Sequence, residues 1–161
     1  MSETNVYRIW IKATPERIWR ALTDPQELEG YGYGGRFEVD IRAGGEYRVG
    51  ATDQMLQAGA PELMVDGEYL EVEEPRRLVQ TWHALFDEQM TVEPPTRLTY
   101  ELEPGKGGVT TLTLTHQVDG APLAAGITSG AVAEAGGGLP WVLSDLKTLL
   151  ETGETLPVQM G

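Results

Sequence analysis

The sequence predicts an α+β domain in which helices gather on one face of an antiparallel sheet. Three observations carry this. Apolar residues recur at every second position in several runs between residues 5 and 117, the period of a half-buried strand. Turn residues separate these runs at short intervals, as in a meander of strands rather than a series of βαβ units. Over residues 136–155, GGGLPWVLSDLKTLLETGET, the period becomes helical, and Leu139, Val142, Leu143, Leu146, Leu149 and Leu150 fall in one stripe roughly 120° wide.

Residues 5–12, NVYRIWIK, set Tyr7, Ile9 and Ile11 against Val6, Arg8, Trp10 and Lys12, so the chain opens with a strand buried on one face. Thr14 then offers a hydroxyl cap and Pro15 a first helical residue with no amide hydrogen to satisfy; Ile18, Ala21 and Leu22 share a face of the helix that follows. Asp24, Pro25 and Glu27 repeat the signal for a second short helix, with Glu27 placed three residues after its cap as in a capping box. The glycines of GYGYGG, residues 30–35, end it.

From Arg36 the period is two again. Phe37, Val39 and Ile41 alternate with charged neighbours, and Gly44 and Gly45 turn the chain into residues 46–50 as a hairpin. Residues 51–64 show no period and are expected as a loop. Residues 67–72, 78–86, 97–103 and 109–117 read as four more strands, divided at Glu74-Pro75, at Pro94-Pro95 and at residues 105–108. In the last of them Leu112, Leu114 and His116 share one face, and Thr111, Thr113 and Thr115 the wet one. The Ala- and Gly-rich residues 119–138 are expected to form a mobile connection, with a short helical turn around 131–135 at most. Pro140 in its first turn and Gly153 beyond its end mark the boundaries of the final helix.

Composition narrows the function. The 161 residues suit one domain over 1–161, with a poorly ordered tail at 156–161, and 40% are apolar. Without cysteine there is no disulfide framework, thiolate nucleophile or Cys-bound zinc, which fits a reducing cytoplasm. No apolar run approaches the roughly 20 residues that span a bilayer, so membrane insertion is not expected. Twelve Lys and Arg against 25 Asp and Glu give a net charge of −13, a field that repels phosphate backbones and argues against a nucleic-acid partner. The two histidines lack ligand spacing such as HExxH, and neither a phosphate loop nor a dinucleotide fingerprint is present; no metal and no cofactor are expected. The run Glu68, Glu71, Glu73 and Glu74 reads as a solvated strand edge.

A long helix laid on a curved sheet does not fill the concavity everywhere, and the remaining space is the candidate site. Its expected contacts are Trp82 and Tyr100 on central strands, Leu112, Leu114 and His116 on the last strand, and Trp141 and Leu146 on the helix. A pocket imidazole can also move a proton, which makes His116 the candidate general acid or base.

Four stretches also resemble a known family when taken together and in order. They are ATPERIWRALTDPQEL (13–28), VDIRAGGEYRVG (39–50), GEYLEVEEPRRLVQTW (67–82), and TTLTLTH (110–116) with LPWVLSDLKTLLETGE (139–154). The resemblance is to the START-like or SRPBCC superfamily, the helix-grip fold, in its branch named for the activator of the 90-kDa heat-shock chaperone's ATPase. It implies a seven-stranded antiparallel half-barrel gripping the last helix. It also implies binding of a small hydrophobic or aromatic molecule in the cavity between them. The same resemblance leaves two alternatives: a cyclase or hydrolase with an acid/base in that cavity, or an interaction module for a chaperone or a second copy of the chain. Tyr31 stands where relatives place a tryptophan, and the connection before the last helix is built of unusually small residues; both departures touch the mouth of the implied cavity.

Overall fold

The computed structural model describes residues 3–132 and 136–157. Seven strands, β1 (Thr4–Ile11), β2 (Arg36–Val39), β3 (Glu46–Gly50), β4 (Leu63–Glu73), β5 (Arg77–Ala84), β6 (Thr96–Pro104) and β7 (Thr110–Gln117), form one sheet in the order β1-β7-β6-β5-β4-β3-β2. Every pairing is antiparallel, and register shifts at Val49/Gly50 and Tyr69/Glu71 add local bend to the curved sheet. The helices are α1 (Pro15–Thr23), α2 (Pro25–Leu28), α3 (Asp53–Gln57), α4 (Glu88–Thr91), α5 (Pro122–Ser129) and α6 (Gly138–Thr152). Strand, two short helices, six strands and a long last helix follow one another as expected.

The departures are local. Asp24 does cap α2, accepting from the Gln26 amide, but Glu27 does not close a capping box; it pairs instead with Arg17 at 2.6 Å and Arg20 at 2.8 Å, fastening α2 to α1. β2 stops at Val39 because the turn tightens at once, and a side chain on Gly45 would lie 1.9 Å from the Asp40 carbonyl oxygen. The expected loop at 51–64 contains α3, capped by the Thr52 hydroxyl, and the first residues of β4. The acidic run is exposed as expected, yet β4 is an interior strand: β3 pairs with it up to Glu68, and beyond that only β5 does.

The largest departure is α5, a helix of eight residues where a mobile connection was expected. Glu93 holds its first turn, its carboxylate accepting from the amides of Leu123 and Ala124 at 2.8 and 3.1 Å. Ala131 and Val132 are not helical, and residues 133–135 of the expected turn lie outside the described residues. So do residues 158–161 of the tail, although the Leu156 amide is firmly held.

α6 presents its stripe to the core. Leu143 and Leu146 are buried, with Leu139, Val142, Leu149 and Leu150 packed around them. Its outer side is tied to the end of β1: Lys147 Nζ donates to the Trp10 carbonyl at 2.7 Å, and Glu151 accepts from the Lys12 amide at 2.9 Å.

Candidate functional site

The register decides which side chains face the core, because directly opposed residues of antiparallel strands share a face. One row runs Tyr7, Leu114, Tyr100, Leu78; the next runs Asn5, His116, Leu98, Gln80, Tyr69. Trp82 stands opposite Thr96, and Tyr47 opposite Gly67, on the same side. Of the seven residues that the sequence nominates, Trp82, Tyr100, Leu112, Leu114 and Leu146 meet in one core cluster. His116 lies beside that cluster, its ring centroid 6.1 Å from the Trp82 ring. Trp141 lies apart, stacked on Tyr33 with centroids 5.1 Å apart.

Tyrosines give the concave face its chemistry. Tyr47 and Tyr69 meet edge to face at 6.0 Å, and Tyr31, carried in by the glycine-rich loop, donates its hydroxyl to the Ala21 carbonyl at 3.0 Å. Burial pushes the Tyr31 and Tyr47 phenols well above their ordinary value, and the neighbouring Tyr100 adds to it in both cases. Burial alone takes Tyr100 to about 12 and raises Tyr7. For Tyr69, burial comes first and Tyr100 second. At neutral pH all five are therefore uncharged donors. Among the described residues, the hydroxyls of Tyr69 and Tyr7 are sealed from solvent and have no hydrogen-bond partner.

His116 is fully buried, with Nε2 in a short hydrogen bond and Nδ1 beside a hydroxyl. Thr96 donates its own proton to the Trp82 carbonyl at 2.8 Å, so its oxygen accepts from His116 Nε2 at 2.7 Å. Nδ1 faces the hydroxyl of Thr128 on α5 at 3.4 Å, a hydroxyl that donates its own proton to the Ala124 carbonyl at 2.7 Å. Burial lowers the imidazole to about 4, so it is neutral at pH 7.

A second set of contacts closes the region between the glycine-rich loop and α6. The Tyr33 hydroxyl accepts from the amides of Gly137 and Gly138, both at 2.9 Å, and so caps a helix start that has no side-chain cap of its own. Two turns further along α6, the buried Asp145 accepts from the Gly32 amide at 2.9 Å and the Leu156 amide at 2.6 Å. Gly138 has φ 68°, and a Cβ there would meet the Thr128 carbonyl at 2.4 Å, so α5 and α6 approach closely only because it is glycine. Sequence reasoning passed over Asp145, Tyr33, Tyr47 and Tyr69. A signal existed for Asp145, which flanks the leucine stripe only about 40° beyond Leu149 on the helical wheel.

Two depressions of about 320 and 260 Å³ lie elsewhere, on the outer face of the sheet. Glu46, Arg48, Asp66 and Gly67 line the first, and Thr81, Pro95, Thr96, Arg97, Gln117 and Asp119 the second. Both are open and polar, so an apolar molecule seated there buries little surface. The concave face, with its aromatic rings, is the better candidate. His83 also points outward, its Nδ1 3.7 Å from Asp66.

No curated protein matches the chain. Among solved structures, it is similar to CalU16 from Micromonospora echinospora at 23% identity over 72% of this chain, with a TM-score of 0.53, and spans 60% of that chain. Protein MLL2253 from Mesorhizobium loti is 24% identical over 92% of this chain and 96% of its own, with a TM-score of 0.67. The Aha1 dimer from Colwellia psychrerythraea is 20% identical over 94% and 98%, with a TM-score of 0.64. At these identities the likeness is one of fold, and it is the helix-grip arrangement of a curved antiparallel sheet around a long last helix. Residues 12–151 match the model of the activator of Hsp90 ATPase homolog 1-like proteins, and the chain belongs to that family.

Proposed function

We propose that the protein binds a small apolar or aromatic molecule between the concave face of the sheet and α6. One observation carries the reading. Tyr47, Trp82 and Tyr100 face inward by register yet stay only half-buried, while Leu78, Leu98 and Leu114 beside them are sealed at 3% exposure or less. Inward-facing aromatic rings that keep accessible surface support a reading in which a ligand covers them. Covering them with an apolar ligand gains about 25 cal/mol for each Å² removed from water. Trp82, Tyr100, Leu112, Leu114 and Leu146 are the proposed walls. His116 joins them as a neutral wall residue, and Trp141 acts at the rim through Tyr33. Native mass spectrometry of the purified protein and thermal shifts against a panel of apolar compounds test the proposal. A retained ligand or a saturable rise in Tm is the expected result; a panel without effect overturns it.

For a macromolecular partner, the observation at hand favours a second copy of the chain. Val6 and Trp10 lie 56% and 57% exposed on the outer face of the edge strand β1, where a two-fold relation lets each copy cover the other's pair. The Colwellia relative is itself a dimer. Sizing chromatography is expected to show a dimer that Trp10→Ser disrupts; a monomer at all concentrations contradicts it. No helix among the described residues is long and apolar enough to cross a membrane, and the cytoplasm is the proposed setting for this binding.

A further inference from the structure

The polar groups of the concave face define the ligand's chemistry more narrowly. This inference rests on the binding reading above. No inward-facing position of the seven strands carries Asp, Glu, Lys or Arg. The nearest buried carboxylate, Asp145, is engaged with the Gly32 and Leu156 amides, and Glu27 with Arg17 and Arg20. An ionic ligand therefore finds no counter-charge among these groups, and its desolvation goes uncompensated.

Donors, by contrast, are in surplus. Tyr31 has the Ala21 carbonyl, Thr96 the Trp82 carbonyl, and Thr110 the Ala13 carbonyl. Gln80 stands opposite Tyr69 in register, but its amide nitrogen donates to the Thr81 carbonyl and its amide oxygen does not accept from the phenol. Tyr69, with no exposed surface, and Tyr7 are left with O–H groups that nothing among the described residues accepts. A buried donor without an acceptor is costly, and a ligand oxygen removes that cost.

We infer that the ligand is a neutral molecule with an apolar or aromatic body and at least one acceptor oxygen, such as a ketone, that takes the Tyr69 hydroxyl proton. Tyr69 is then a specificity residue, which selects for the acceptor without contributing a charge. The raised phenols agree with this, because an environment that disfavours tyrosinate also disfavours a ligand carboxylate.

Three probes of similar shape test it: fluorene, 9-fluorenone and fluorene-9-carboxylate, each titrated calorimetrically into the wild-type protein and into Tyr69→Phe. The ketone is expected to bind roughly five- to tenfold tighter than the hydrocarbon, and the carboxylate at least about tenfold weaker than the ketone. Tyr69→Phe is expected to erase the preference for the ketone while leaving fluorene affinity within about twofold. Should that variant fail to fold, the wild-type ranking and Tyr7→Phe still decide the matter. Equal binding of ketone and hydrocarbon overturns the inference and leaves the binding reading standing. Tightest binding by the carboxylate, or a ketone preference that survives Tyr69→Phe, overturns it as well. Binding by none of the three removes the cavity reading and this inference together.

Discussion

His116 shows how burial alone sets the chemistry of a side chain. Its Nε2 is bonded to Thr96, and its folded value is about 4 against 6.5 for an ordinary imidazole. Between these values the unfolded chain binds a proton that the folded chain refuses, so stability rises with pH. The contribution is complete above pH 6.5, is lost as pH falls toward 4, and changes no further below that. Its size is roughly 3 kcal/mol. Chemical denaturation across this window is expected to give a steeper pH dependence for the wild type than for His116→Gln; parallel curves contradict it. Asp145 is the opposite case, a buried carboxylate satisfied by two amides. Asp145→Ala leaves both donors without an acceptor and is expected to cost about 2–3 kcal/mol. Hydrogen exchange at Gly32 and Leu156 should accelerate, and unchanged exchange there refutes the clamp.

Among the elements, α6 bears the heaviest load. Leu146 is 1% exposed within the core cluster, so Leu146→Ala is expected to destabilise by about 2–5 kcal/mol, the cost of removing side-chain atoms that the core packs against. Tyr33→Phe removes the acceptor for the first amides of α6 and is expected to cost about 1 kcal/mol, read from the denaturation midpoint. α6 was legible because a leucine stripe between Pro140 and Gly153 is a local signal, and the strands were legible because alternation is local too. α5 was not. PLAAGITS has a proline start but a glycine within it and small apolar residues throughout, and only Glu93, far away in the sequence, satisfies its first turn. The four-residue α4 and five-residue α3 rest on single caps, Asp87 and Thr52, too short for any period to show. The site divides in the same way. Parity placed Leu112, Leu114 and His116 correctly on one face, but the meeting of Tyr31, Tyr47, Tyr69 and Tyr100 depends on how five distant segments pair and curve.

For the whole molecule, the sheet presents aromatic rings on its inner face, while two short contacts, Tyr33 on the start of α6 and Asp145 on Gly32, tie the glycine-rich loop to α6. Ligand binding to such a folded state adds stability by mass action, about 2.7 kcal/mol at a concentration one hundred times Kd. The most direct measurement is an isotope-filtered NMR experiment with saturating 9-fluorenone and the labelled protein. The predicted result is intermolecular NOEs from the ligand to the side chains of Tyr69, Trp82, Tyr100 and Leu146. NOEs confined to the outer-face residues Arg48, Asp66 or Arg97, or none at all, would contradict binding on the concave face.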